Sequence, residues 1–92
     1  MTDELSDEDK KAIQRKFYHL KDKLDPDEVI DILFSAEIIS SAKREKIQAE
    51  RIPSQKNALV LDLVRKGTYR HLAIFKEALH TSHQAHLVRL LP

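Results

Sequence analysis

The sequence predicts an all-α fold: six antiparallel helices packed as one bundle. Three observations carry this prediction. Glycine occurs once and proline three times in 92 residues, too few for the tight turns that hairpins and sandwiches consume. Apolar residues recur at steps of three and four, the helical period. Helix-start residues punctuate the chain at short intervals, so the links are short and the helices antiparallel.

Taken in order, Ser6 with Asp9 forms a start signal, an N-cap with an acid at the third helical position. Ile13, Phe17, Leu20 and Leu24 then make one apolar stripe on a helix running to about Lys23. Asp25-Pro26-Asp27-Glu28 opens the second helix: Asp25 caps, Pro26 suits the first position and Glu28 closes the box. Its inner arc is Val29, Ile30, Ile32, Leu33 and Phe34, and it ends near Ala36. Ser40 or Ser41 caps a third helix that ends near Glu50 and has few apolar residues, so it packs shallowly.

Pro53-Ser54 breaks the chain again, and Ser54 is expected to cap the fourth helix. Leu59, Val60, Leu61, Leu63 and Val64 make this the most buried element. Gly67 stops it, after Arg65 and Lys66 in the last turn, where cations suit the helix dipole. Thr68 caps a fifth helix with Leu72, Ile74, Phe75, Ala78 and Leu79 on its inner arc. Thr81 or Ser82 starts a short sixth helix with Leu87, Val88, Leu90 and Leu91. Phe17, Phe34 and Phe75 read as core, Tyr18 and Tyr69 as outer-face residues.

Composition removes several function classes. The length fits one domain, residues 1–92. There is no cysteine, hence no disulfide, no thiolate metal site and no cysteine nucleophile within the chain. No stretch approaches the roughly 20 apolar residues of a membrane span. The run from Met1 to Lys10 is polar and acidic, unlike a secretory signal. Charged residues make up 34% of the chain, but the net charge is only +1. A generic polyanion binder leans further to the basic side.

Several segments together resemble a known family, the caspase-recruitment domains (CARDs) of the death-fold superfamily. They are Asp25-Pro26-Asp27-Glu28-Val29-Ile30-Asp31-Ile32-Leu33, Ile38-Ile39-Ser40, Leu59-Val60-Leu61-Asp62-Leu63-Val64-Arg65-Lys66-Gly67, Phe75-Lys76-Glu77-Ala78-Leu79 and Gln84-Ala85-His86-Leu87. The most specific part is a leucine-rich helix, then Arg-Lys-Gly, then a helix with a buried Phe. The resemblance covers nearly the whole chain and is closest to the amino-terminal prodomains of initiator caspases; the CARDs of apoptosome-type adaptors look similar. Beginning at Met1 fits a prodomain placed first in its protein, and ending soon after the sixth helix fits an isolated domain or a piece of a longer protein. Two positions depart from the family pattern. Thr68 stands where proline often follows the glycine, and Ser82-His83 replaces a glycine usual between helices five and six.

The resemblance implies a death-fold Greek key of six helices that is not an enzyme, needs no cofactor and works in the cytoplasm. Its expected partner is another CARD-containing protein, a caspase or an adaptor, with homo-oligomers or a helical assembly as a further outcome. The charges are sorted to match. Residues 1–9 hold five acids and no base, residues 10–24 six bases and one acid, residues 25–37 five acids and no base, and residues 38–92 ten bases and four acids. In CARDs a basic patch on helices one and four docks on an acidic patch on helices two and three of the next copy. Carried over by position, the basic side is Lys11, Arg15, Arg51 and Lys56. The acidic side is Asp27, Glu28, Asp31 and Glu37, diluted by Lys43 and Arg44. Such unlike patches generate a stack rather than a closed pair.

Other readings are weaker. His80, His83 and His86 are spaced for a metal, but the run crosses a predicted helix break, so no metal site is expected. Ser82-His83 is sequence adjacency without a positioned base, and one glycine builds no phosphate cradle. A helix-turn-helix reader of nucleic acid would use Lys43, Arg44, Lys46, Arg51 and Lys56 as phosphate contacts; the acids of helix two oppose it. A third alternative is a CARD-only decoy that caps partners without delivering an enzyme.

Overall fold

The computed structural model describes residues 4–92; Met1–Asp3, at the head of the acidic amino-terminal run, lie outside the described residues. Six α-helices follow one another: α1 (Asp7–Arg15), α2 (Phe17–Lys23), α3 (Pro26–Ser35), α4 (Ser41–Gln48), α5 (Pro53–Arg65) and α6 (Tyr69–Thr81). A 3₁₀ helix, Ala85–Leu90, closes the chain. Among the described residues no strand forms beyond one isolated antiparallel bridge between Glu4 and Thr68.

The core is one cluster fed by every element. Ile13, Leu20, Val29, Ile30, Leu33, Ile47, Val60, Leu61, Val64, Phe75 and Leu79 are fully buried. Helix α5 lies at the centre, with its most extensive packing against α2 and further contacts to α1, α3, α4 and α6. Its inner face is Asn57, Val60, Leu61 and Val64; Leu59 and Leu63 are only half-buried at the margin. Phe17 and Phe34 likewise sit at the edge, and only Phe75 of the three phenylalanines is sealed. Helix α4 gives the core one fully buried side chain, Ile47, as its sparse apolar content predicts.

The expected first helix is two. It breaks at Lys16, whose φ of −99° and ψ of 4° leave the helical region and whose N–H turns to the Ile13 carbonyl at 3.1 Å. No proline or glycine causes the break. Each side of it is anchored by a different side chain. Ahead of it, the Tyr69 hydroxyl at the start of α6 donates to the Asp9 carboxylate at 2.6 Å and accepts from the Ser6 N–H at 3.3 Å. Behind it, the Asn57 amide of α5 donates to the carbonyls of Lys21 at 2.9 Å and Leu24 at 2.6 Å. The bend serves both anchors and still buries Ile13 and Leu20.

Caps differ from expectation in two places. Ser6, Ser40 and Thr68 accept backbone N–H bonds from the third helical residue. Asp25 makes no side-chain cap bond, and Pro26 alone marks the start of α3. Ser54 does not cap α5, which begins two residues earlier than such a cap would set, at Pro53 with Ile52 as N-cap. Proline at the first helical position supplies the right φ and leaves one fewer N–H to satisfy.

Two helices end on residues in the left-handed region, Glu37 at φ 60° after α3 and His83 at φ 63° after α6. Each closes with a long backward bond: Ile38 N–H to Leu33 carbonyl at 2.9 Å and Gln84 N–H to Leu79 carbonyl at 2.7 Å. Glycine is the usual residue there. Here Glu37 and His83 take that conformation without being glycine. The segment beyond His83 is a 3₁₀ helix beginning at Ala85, not an α-helix from Thr81 or Ser82: the turn folds the chain back against α6, and the Gln84 side chain bonds the Asp25 backbone ahead of α3.

Burial orders the leucines of α5. Leu61→Ala should cost about 2–5 kcal/mol, and Leu63→Ala clearly less, measured by urea denaturation. Equal costs would show that α5 is rotated from this packing.

Candidate interaction surface

The eight candidate contact residues fall on three helices and two links. Lys11 and Arg15 are exposed on α1, four residues apart and so on one face, where they line a shallow depression with Gln14. Among the described residues neither makes an ion pair. Arg51 is exposed in the link between α4 and α5, and Lys56 is half-buried in the first turns of α5. Asp27, Glu28 and Asp31 are exposed on α3, and Glu37 in the turn after it.

The structure does not keep the two sets apart everywhere. Lys56 Nζ lies 3.5 Å from Asp27, so one member of the basic set neutralises one of the acidic set in the same molecule. Arg44 of α4 donates to Asp31 at 2.8 Å and places its guanidinium 4.7 Å above the Phe34 ring. Both pairs are solvated on at least one side, so each contributes at most about 1 kcal/mol. Their larger effect is on availability. Glu28 and Glu37 have no ion-pair partner among the described residues, whereas Asp27 and Asp31 already have one. Arg70 of α6 adds another cation to this edge by donating to the Ala36 carbonyl at 3.3 Å.

Two buried amides that the sequence reading passed over hold the basic and acidic helices in place. Asn57, 1% exposed, grips the end of α2, and Gln84, 7% exposed, grips the start of α3. Gln84 accepts from the Asp25 N–H at 2.7 Å and donates to the Asp25 carbonyl at 3.0 Å. Asn57 was detectable as the one polar side chain on the apolar arc of α5. Gln84 carried no such signal, since its partner is 59 residues away in sequence.

The Arg-Lys-Gly link has its own geometry. Gly67 is not left-handed; it is small because the His71 ring lies against it. A Cβ there would sit 2.6 Å from His71 Cγ. The ring caps α6: Thr68 N–H donates to His71 Nδ1 at 3.2 Å, and the Thr68 hydroxyl is 2.8 Å from the same nitrogen. A protonated imidazole cannot accept the N–H bond. Burial, and secondarily the charge of Arg70, hold the His71 pKa below its ordinary 6.5.

Among the described residues no group of three or more His, Asp or Glu side chains is placed to hold a metal. No helix of the described residues is long and apolar enough to cross a membrane.

His71 makes stability depend on pH. Because its folded pKa is depressed, the unfolded chain binds more protons below about pH 6.5, and stability falls as pH drops through that value. Urea midpoints at pH 7.5 and 5.5 should fall further for the wild type than for His71→Gln, which can still accept the bond without titrating. Equal falls would remove His71 from the account.

A search of curated proteins for similar sequences found no match. The family model described as the caspase recruitment domain matches residues 10–92. That span includes every helix from the middle of α1 onward, both charged helices and the Arg-Lys-Gly link. With the helical bundle described above, the match identifies the chain as a member of the caspase-recruitment (CARD) family, non-catalytic domains that bind other domains of the death-fold kind.

Proposed function

We propose that this domain recruits a caspase, or the adaptor that activates one, by CARD–CARD contact in apoptotic or inflammatory signalling in the cytoplasm. The observation that carries the reading is the presence on one bundle of α1, with exposed Lys11 and Arg15 that make no ion pair among the described residues, and of α3, with exposed Asp27, Glu28 and Asp31. The basic face of one module docks on the acidic face of the next. Electrostatics of this kind orients and speeds encounter more than it supplies affinity. Activation of the partner follows from raised local concentration.

The availability of the charges ranks their roles. On the basic side Lys11 and Arg15 lead, with the exposed Arg51 next and Lys56 reduced by its bond to Asp27. On the acidic side Glu28 and Glu37 lead, with Asp27 and Asp31 acting through charges already shared with Lys56 and Arg44.

Complementary reversals test this. Arg15→Glu and Glu28→Arg should each weaken association about tenfold or more while leaving the helical circular dichroism intact. Mixed together they should recover a one-to-one complex, because each variant keeps one unaltered face. Two variants that bind as the wild type does would reject the assignment.

A further inference from the structure

One groove of the molecule is lined by basic and aliphatic side chains and is not used by the contact proposed above. It runs between α2 and the carboxy-terminal 3₁₀ helix and has a volume of about 320 Å³. Lys16, His19 and Lys23 form one wall at steps of three and four, the spacing of a single helical stripe. His86 and Arg89 form the other wall, and Leu87 and Leu90 lie between. No carboxylate lines it among the described residues. The nearest acid engaged with it is Asp22, 3.7 Å from Lys23 in a pair exposed by about two-thirds on both sides, which holds Lys23 only weakly.

Like charges gathered around aliphatic carbon repel one another and leave apolar surface wet. An occupant that relieves both costs must carry negative charge at its flanks and an apolar side chain between. We propose that this groove docks an acidic amphipathic segment of a partner protein, its carboxylates on Lys16, Lys23 and Arg89 and an apolar side chain on the half-exposed Leu90, above the buried Leu87. Polyanions without such a side chain fit less well. Nucleic acid would gain from stacking platforms along a charged track, whereas this floor is aliphatic and the permanent cations number three. The site is separate from Lys11 and Arg15, which line their own depression with Gln14, so it can be occupied while those residues meet a second CARD.

The probe is a labelled helical peptide whose glutamates flank two leucines, followed by fluorescence anisotropy with the full chain. Lys16→Glu combined with Arg89→Glu should weaken binding at least about tenfold, and Lys11→Glu combined with Arg15→Glu should change it less than about twofold. Replacing the peptide's glutamates by glutamine, or Leu90 by serine, should weaken it as well. Circular dichroism checks that each variant is folded. The proposal is overturned if the groove variant binds as the wild type does, or if the Lys11 and Arg15 variant loses binding instead. It is equally overturned if a single-stranded oligonucleotide or a vesicle of anionic lipid binds the groove more tightly than the peptide.

Discussion

The relative placement of the two charged helices depends on a single short stretch of backbone held by two buried amides. The last turn of α2 and the two-residue link Leu24-Asp25 join the basic α2 to the acidic α3. Asn57 takes two carbonyls at the first side of this link, and Gln84 takes both the N–H and the carbonyl of Asp25 at the other. The carbonyls at the end of a helix have no partner within it. Here they are satisfied from the core helix α5 rather than by water, which ties the turn to the centre of the bundle. The grip is not free of cost, since Asn57 Oδ1 is buried without a partner among the described residues. Removing either amide would leave backbone groups of this turn unpaired, a loss of about 1–3 kcal/mol each, concentrated at the junction between α2 and α3.

Charge in this domain acts on two scales. Within the molecule Arg44–Asp31 and Lys56–Asp27 knit α4 and α5 to α3. Lys11 and Arg15 on one helix and Glu28 and Glu37 on or just after another make no ion pair among the described residues, and these are the charges proposed to act between molecules. A side chain engaged in an exposed intramolecular pair must give up that contact to meet a partner. It therefore contributes less to association than an unpaired neighbour, even though the sequence presents both as equal members of a cluster.

Much of the architecture is legible in the sequence because it is written locally. Pro26, Pro53, Ser40 and Thr68 set helix starts through backbone geometry or a bond to a residue three places on, and the apolar steps around Val29, Val60 and Phe75 define inner faces. The break at Lys16 is not legible, because the side chains that anchor its two sides, Tyr69 and Asn57, are dozens of residues away. The left-handed turns at Glu37 and His83 are hidden for a related reason: neither residue is glycine, and the conformation is imposed by the packing of the helices on either side. The capping role of His71 depends on a residue three before it, yet histidine is an uncommon partner in that box. For the contact surface, the sign of each segment's charge was readable, but which charges are already paired within the fold required Arg44 and Lys56 to be placed in space.

The central claim is that unlike charged faces on one rigid bundle let like modules mate in an open series. Sedimentation velocity of the wild-type domain over a range of protein concentrations, at low and at high salt, tests it most directly. The account predicts an average mass that grows steadily with concentration at low salt and retreats toward the monomer as salt screens the faces. A mass fixed at one closed dimer, or one indifferent to salt, would contradict it.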